Sequence, residues 1–496
     1  MLSRLSLILA LLFALPALAE TVRLTTPDGD IFIEGKLLSF SGELFRVETE
    51  FGAVTIDAGG LRCSGEGCPD PADLIARTAV GGPPDMVHRL FPAILEAFAE
   101  RMELGAFRTF NDDTEESWEL REAGTGRPVA VFAVRSMDDE AVEPQLAANQ
   151  ITIGFGRLEA SDRVRQDVVA LDALVPAVAP DNPRAVLTQS QLQALFAGET
   201  DSWDRLGAPG VAVSLHAPKD LDQQVRRLLS DGISTKATRH EDLAVLADTV
   251  AADPGAIGLV PYSALGNAIP VIVSGACGLA IPATRDTIRA EDYPVTHPLY
   301  LARLGADQPK LVRDFIAFAR SPEAQPLVRA AGFVDQAIGR ISFERQGGRI
   351  ANAVLTAGDD PAATAEVRDM IAALLGGERL TLTFRFRDGS SDLDPQSVSN
   401  IQRLADAISA GAFDGHRMQF VGFSDGVGEK AANLRLSERR ARSVRRAVSA
   451  RVASNTVDFE VAAFGELMPM ACDDTPWGGQ VNRRVEVWVN PLEVTR

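Results

Sequence analysis

The strongest constraint on the fold lies in the last quarter of the 496-residue sequence. Arg379-Leu380-Thr381-Leu382-Thr383-Phe384-Arg385-Phe386 alternates polar and apolar residues, the period-two pattern of a strand with one buried face. Asp394 stands where it can cap a helix running to about Ala410. Arg417-Met418-Gln419-Phe420-Val421-Gly422-Phe423 reads as a second strand, followed by a long Arg-rich helix from about Lys430 to Val452. Val457-Asp458-Phe459-Glu460-Val461-Ala462 and Arg484-Val485-Glu486-Val487-Trp488-Val489 supply two more strands. The order β-α-β-α-β-β over residues 378–496 predicts a compact α/β sandwich with its helices on one face of the sheet.

Upstream, the chain divides into segments of different pattern, a multidomain α/β organisation. Arg4, the apolar run Leu5 to Ala14 and the small-residue site Ala17-Leu18-Ala19 read as an export leader over residues 1–19. The apolar run is shorter than the roughly 20 residues a membrane-spanning helix needs, and no later stretch is apolar enough to cross a bilayer. Residues 20–70 predict a small β domain, a barrel or meander. Its strand-like runs, such as Leu44-Phe45-Arg46-Val47-Glu48 and Ala53-Val54-Thr55-Ile56-Asp57, are separated by turns at Pro27-Asp28-Gly29, Ser41-Gly42 and Phe51-Gly52. Residues 78–340 mix helix and strand in α/β alternation. Leu90, Phe91, Ile94, Leu95 and Phe98 form a helical face, with Pro92 expected in the first turn. Residues 341–377 predict a helical connector, with a helix start at Asp360-Pro361 and an end at Gly376-Gly377.

The formal charge is −19, or −20 once Arg4 leaves with the leader, so the overall field repels nucleic acid and anionic lipid. Any anionic partner must be held by a local site. The leader points to an oxidising compartment, where the even count of Cys63, Cys68, Cys277 and Cys472 favours disulfides. Cys63 and Cys68 flank a Gly-rich turn that can close a small loop; no His lies near enough to favour a metal there. Cys277 and Cys472 are either a long-range bridge between domains or two buried thiols. His88, His216, His240, His297 and His416 show no metal-ligand spacing. No Gly-x-Ser-x-Gly or Walker loop appears, and Gly154-Phe155-Gly156 has Glu159 where a dinucleotide turn needs its third Gly. The sequence therefore predicts no catalytic residue, no metal and no cofactor.

The C-terminal region resembles the OmpA-like peptidoglycan-binding domain. The residues that carry the likeness are Gly422-Phe423-Ser424-Asp425, Gly428, Asn433, Leu436-Ser437, Arg440-Ala441, Val444, Phe464-Gly465-Glu466, Pro469 and Asn482-Arg483-Arg484-Val485. The family pattern is G-H-T-D-x-x-G, N-x-x-L-S-x-x-R-A-x-x-V, F-G-E-x-x-P and N-R-R-V. The resemblance implies that Asp425 accepts from the ammonium, and Arg440 donates to the carboxylate, of a diaminopimelate stem peptide. It places Asn433 and Arg483 beside that ligand and lets Ser437 orient the helix start or the ligand loop. The chain departs from the family at Phe423-Ser424, where His-Thr is usual. Charge-dense helix faces are otherwise commonly just solvated.

Residues 78–340 resemble the phosphate-type substrate-binding proteins of ABC transporters. The likeness rests on Val168–Leu174 with Pro180-Asp181-Asn182-Pro183, on Leu192–Glu199 with Trp203 and Leu206-Gly207, and on Asp253–Gly258 with Glu291-Asp292-Tyr293-Pro294 and Leu299-Tyr300. It implies the two-lobed fold of a type II periplasmic binding protein. The family grips an oxyanion through hydroxyls and helix N-terminal N–H groups. Here the first loop reads Gly81-Gly82-Pro83-Pro84-Asp85-Met86 and the later one His216-Ala217-Pro218-Lys219-Asp220-Leu221-Asp222. Prolines remove donors and the carboxylates repel an anion, with only Lys219 in favour, so no phosphate-binding residue carries over. The expected protein is a non-catalytic periplasmic module held to peptidoglycan at the cell wall or outer membrane. Its middle domain has an eroded phosphate site and takes another small solute or a protein. The alternative is a phosphate or other solute-binding component of an ABC transporter, tethered to the wall.

Overall fold

The structure is a computed structural model. It describes residues 21–492, apart from 27–31, 41–43, 59–60, 71–74, 112–114, 160, 162, 183, 185, 208–209, 221, 230–231, 276, 278, 306–307, 387–391, 454–456 and 474–475. The leader at 1–19, the turns at Pro27-Asp28-Gly29 and Ser41-Gly42, Pro183 and Leu221 lie outside the described residues. Two compact units emerge, one drawn from Met1–Ala79, Glu96–Val134 and Ala306–Ala317, the other from Val80–Leu95, Arg135–Gly305 and Phe318–Arg496.

In the first unit, a five-stranded sheet runs in the spatial order Gly52–Asp57, Leu44–Thr49, Phe32–Phe40, Thr21–Thr25, Arg62–Ser64, with every pairing antiparallel. It is a meander with one added edge strand. Alternate residues Val22, Leu24, Phe45 and Val47 fill its small core. So few side chains bury little area, and the Cys63–Cys68 disulfide staples the edge strand's turn. The same unit holds the hairpin Leu104–Asn111 with Glu115–Glu122.

The second unit is organised by one fourteen-residue strand, Arg165–Val178, buried along nearly its whole length. Its first part pairs with Thr296–Arg303, ending at Ala173↔Thr296, and its second part pairs with Ala256–Pro261, beginning at Leu174↔Pro261. The strand thus belongs to two sheets and switches between them at Ala173/Leu174. Around its first part, Ile153–Gly156 joins Thr296–Arg303. Around its second part, Ser214–Pro218 and Thr238–His240 extend the sheet in parallel from Ala256–Pro261. Each part has its own packed core, one around Leu171, Tyr293, Tyr300 and Val334, the other around Leu192, Phe196, Trp203 and Leu259. Pro92 is the second residue of its α-helix, in the first turn as expected, but that helix is not the start of the helical run. Helical residues begin before it, and the wider π-turn Met86–Leu90 precedes the helix Phe91–Arg101, a local loosening that accommodates the N–H that proline lacks.

The C-terminal sheet has five strands in the order Arg340–Ser342, Glu378–Arg385, Arg484–Pro491, His416–Gly422, Asp458–Ala463. Helices Pro395–Ser409 and Lys430–Ser449 cover one face through Ile401, Leu404, Ile408, Ala441, Val444 and Val448. The structure differs from the expected layering in three respects. The short strand Arg340–Ser342 joins the sheet, and a seven-residue helix, Pro476–Asn482, precedes the last strand. The opposite face is also covered, because the helices Gly347–Ala357 and Pro361–Leu374 pack Ala353, Val367, Met370 and Leu374 against Val421, Phe423 and Trp488. The residues between Ser342 and Glu378 therefore dock on the sheet.

That second face explains a misleading pattern. Arg379, Thr381, Thr383 and Arg385 alternate like a solvent face yet are all buried. Most of their polar groups are bonded within the protein instead of hydrated, Arg379 Nε and Arg385 Nε excepted. Arg379 forms a bidentate pair with Asp292, Nη2 lying 2.8 Å from Oδ1, and its Nε is 3.2 Å from Glu486 Oε2. Glu486 Oε1 also receives Arg349 Nη2 at 2.5 Å and Arg484 Nε at 2.7 Å, and Trp488 Nε1 donates to Oε2 at 3.0 Å. Thr381 exchanges bonds with Gly339, and Arg385 Nη2 donates to Glu291 O at 2.5 Å. Cys277 and Cys472 form a disulfide across a sequence separation of 195. The bridge, and not the pair of thiols, is the alternative realised. Among the described residues no helix is long and apolar enough to cross a membrane.

Candidate functional site

The strand His416–Gly422 delivers the chain to a loop that carries Asp425, and the helix Lys430–Ser449 then folds back over the strand. The backbones meet so closely at Gly422 that a Cβ there would stand 2.1 Å from Ser437 O, so glycine is required. Ser437 Oγ donates to Leu434 O at 2.8 Å and accepts from Gly465 N at 3.3 Å, tying the helix to the loop after the strand Asp458–Ala463.

Asp425 Oδ2 lies 2.7 Å from Arg483 Nη1, both side chains mostly buried at 14% and 17% exposure. Gly479 packs against this pair, since a Cβ there would come within 3.2 Å of Arg483 Nη1 and 3.4 Å of Asp425 Oδ2. Asn433 Nδ2 donates to the carbonyls of Asp425 and Val427, each at 3.2 Å. Arg440 is almost fully buried, and its guanidinium lies 4.9 Å from the centre of the Phe386 ring. Burial first, and then the like charge of Arg483, lower the pKa of Arg440, while Asp425 opposes them. The four residues singled out in the sequence thus converge on one loop, with differentiated roles. Asp425 and Arg483 form the ion pair, Arg440 is the desolvated cation near it, and Asn433 orders the loop.

Two further groups belong to the arrangement. Ser424 Oγ is buried with no hydrogen-bond partner among the described residues, next to Asp425 in the chain. Asp473 accepts from Gly426 N at 2.7 Å through one oxygen and from Asn482 Nδ2 at 2.8 Å through the other. Nothing in the alternation of the sequence marks Asp473; its adjacency to Cys472 is the one available signal. Phe423, which stands where a polar ring is usual, points into the cluster of Met468 and Trp488, with the Arg484 guanidinium 4.2 Å above its ring. It is a core residue that supports a buried cation.

In the middle domain, the first loop places Asp85 against Arg157, and the two form a buried ion pair. Asp139 Oδ1 accepts Arg157 N at 2.6 Å, and its second oxygen lies 3.5 Å from Arg157 Nη1. Burial opposes the charge on Arg157, but Asp85 and then Asp139 outweigh it and hold the guanidinium above its ordinary pKa. Arg157, a buried cation, is thus paired with carboxylates of the chain itself. Sequence reasoning missed Arg157. In the later loop Lys219 is exposed and paired with Glu241, and His216 Nδ1 and His240 Nε2 lie 3.0 Å apart. Among the described residues no cluster of three metal-ligating side chains occurs.

Residues 385–483 match the OmpA family, and residues 107–323 match a PBP superfamily domain. The chain therefore joins an OmpA domain at its C-terminus to a domain of the periplasmic-binding-protein type. In particular, the chain is similar to the peptidoglycan-associated lipoprotein of Pseudomonas putida, 32% identical over 22% of this chain and 63% of that protein. It is also similar to the phosphate-binding protein PstS of Borreliella burgdorferi, 24% identical over 36% of this chain and 67% of that one. An ABC-type phosphate transport receptor of Vibrio cholerae matches with 15% identity and a TM-score of 0.40, over 52% of this chain and 99% of that one. The chain spans less than two thirds of the lipoprotein's length, and no one of these relatives covers both domains.

Proposed function

We propose that this is a non-catalytic envelope protein of the periplasm. In this reading the OmpA domain holds peptidoglycan and the other domain presents a binding-protein scaffold whose oxyanion site is filled from within. The observation that carries the first half is the mostly buried carboxylate of Asp425 paired with Arg483, with the buried guanidinium of Arg440 within its electrostatic reach, at the base of an exposed loop. A zwitterionic end, such as that of diaminopimelate in a stem peptide, offers an ammonium to Asp425 and a carboxylate to Arg440 and Arg483. Charge-assisted bonds of this kind contribute about 1.5–3 kcal/mol each, which supports micromolar or weaker affinity. Co-sedimentation of the full chain with purified sacculi tests the reading. Asp425→Ala and Arg440→Ala are expected to leave the protein in the supernatant; sedimentation equal to the unaltered chain sinks the proposal.

The second half rests on the Asp85–Arg157–Asp139 cluster, which occupies the cation an anion would seek. The likeness to phosphate-binding proteins favours a transport reading instead, in which the domain delivers phosphate or another solute to a permease. Titration calorimetry with inorganic phosphate separates the two. No heat is expected, and micromolar binding decides for transport.

A further inference from the structure

We infer that Asp473, held in place by the Cys277–Cys472 disulfide, is a positioning residue for the peptidoglycan loop, so that this loop is braced covalently from the binding-protein domain. The inference deepens the proposed function and rests on it. Its basis is a continuous chain of contacts. Asp425 and Arg483 form the ion pair of the site, but they come from segments 58 residues apart, and each needs its chain neighbour held. Asp473 does both. Its Oδ2 accepts from the N–H of Gly426, the residue after Asp425, at 2.7 Å. Its Oδ1 accepts from the side-chain amide of Asn482, the residue before Arg483, at 2.8 Å. Asn482 is itself locked, accepting from Met470 N at 2.6 Å and Ala471 N at 3.1 Å and donating to Ala471 O at 2.7 Å. One carboxylate thus spans the two segments that present the ion pair.

Asp473 is exposed, and an exposed loop carboxylate holds one geometry only if its own backbone is constrained. Cys472 supplies that constraint. Its sulfur is bonded to Cys277 and also accepts the N–H of Cys277 at 2.9 Å. Gly275 presses against the bridge, since a Cβ there would stand 2.6 Å from Cys472 Sγ. The strand that leads into this loop, Ile272–Ser274, is paired in parallel with Val186–Thr188 of the binding-protein domain. Asp473 is therefore presented to the peptidoglycan loop by a segment anchored in the other domain.

The test uses the full chain, a soluble disaccharide-tripeptide muropeptide containing diaminopimelate as probe, and calorimetric affinity and thermal unfolding as readouts. Asp473→Ala is expected to weaken muropeptide binding by about tenfold, equivalent to ~1.4 kcal/mol, with the unfolding midpoint nearly unchanged. Asp473→Asn, which keeps one accepting oxygen, is expected to recover part of the loss, a graded rescue that a purely structural role would not produce. The double variant Cys277→Ser/Cys472→Ser keeps the carboxylate and releases the brace, and is expected to fall between the unaltered chain and Asp473→Ala. If Asp425→Ala abolishes binding while Asp473→Ala and the double serine variant bind as the unaltered chain does, the brace is overturned and the site reading stands. If the unaltered chain binds no muropeptide, both fall.

Discussion

The pair Asp85–Arg157 offers a direct trial of the idea that the middle domain supplies its own anion. The perturbation is Asp85→Ser, which removes the charge and leaves a hydroxyl at the start of the helical segment. The two side chains are only 8% and 4% exposed. Breaking a buried pair by deleting one partner costs about 3–5 kcal/mol, because the other charge is left without compensation. Arg157 keeps Asp139 at 3.5 Å, so the lower end, about 3 kcal/mol, is expected. The released guanidinium then becomes an anion site. Phosphate at a hundred times its dissociation constant would return ~2.7 kcal/mol, nearly the whole loss. The assay is urea unfolding of the unaltered and variant chains, with sodium phosphate against sodium chloride at matched ionic strength. The unaltered midpoint should be the same in both salts. The variant should be less stable in chloride and close to the unaltered chain in phosphate. A variant as stable as the unaltered chain in chloride refutes the energetic argument. A destabilised variant with no phosphate-specific recovery refutes the claim that Asp85 occupies an anion's place.

Two further outcomes follow from the buried charges of the C-terminal sheet. Glu486→Gln keeps the side chain's shape but leaves Arg349, Arg379 and Arg484 without their shared carboxylate, and should cost about 3–5 kcal/mol in chemical unfolding. A loss under about 1 kcal/mol would sink the account. Burial alone would raise the pKa of Glu486, but the three guanidiniums dominate and hold it far below its ordinary 4.5. Its contribution is therefore present above that pH and lost as the pH falls below it, a slope that Glu486→Gln should remove. Glu291 shows the opposite sign. Burial pushes it up from 4.5 to about 7 against the attraction of Arg385, so the folded state binds the extra proton and stability declines as the pH rises from 4.5 to 7. Glu291→Gln should therefore stabilise the chain at pH 8 relative to pH 5, and equal effects at both pH values would contradict the assignment.

How much of this was legible depends on the range of the interaction involved. The strands were readable because alternation is local: Leu380, Leu382 and Phe384 fall on one face whatever covers the other. Helix starts were readable for the same reason, and Asp394 Oδ1 does accept from Ser397 N at 2.7 Å. That Asp425, Asn433, Arg440 and Arg483 come together was what the family resemblance implied; the strand–loop–helix unit His416–Ser449 accounts for the first three, and Arg483 comes from a separate segment. What spacing did not show was how the charges pair, with Arg483 against Asp425. Long-range satisfaction was also hidden. Arg379 and Arg385 look like solvent-facing residues until Asp292 and Glu291, distant in sequence, are found opposite them. Arg157 carries no local mark at all, since its importance comes from Asp85, 72 residues earlier. The polar-ring position at Phe423 was misleading because the pattern says which residue is unusual but not which way it points.

The word tether suggests a slack joint, and the interface argues against one. The OmpA domain is attached to the binding-protein domain at two places on either side of the point where strand Arg165–Val178 changes sheets. Arg379 and Arg385 grip Asp292 and Glu291, beside Tyr293, which belongs to the core built on Val168, Leu171 and Ala173. The disulfide grips the loop after Ile272–Ser274, whose partner strand Val186–Thr188 contributes Leu187 to the other core. A binding protein that captures solute by closure needs its two parts to rotate about the strands that join them. Here both parts are fastened to a third body, one by buried ion pairs and one covalently. Rotation would have to break the desolvated Arg379–Asp292 pair or strain the bridged loop, a cost that solute binding would have to repay from its own affinity. The same fastening that steadies Asp473 therefore weighs against a freely closing clamp and in favour of a rigid scaffold.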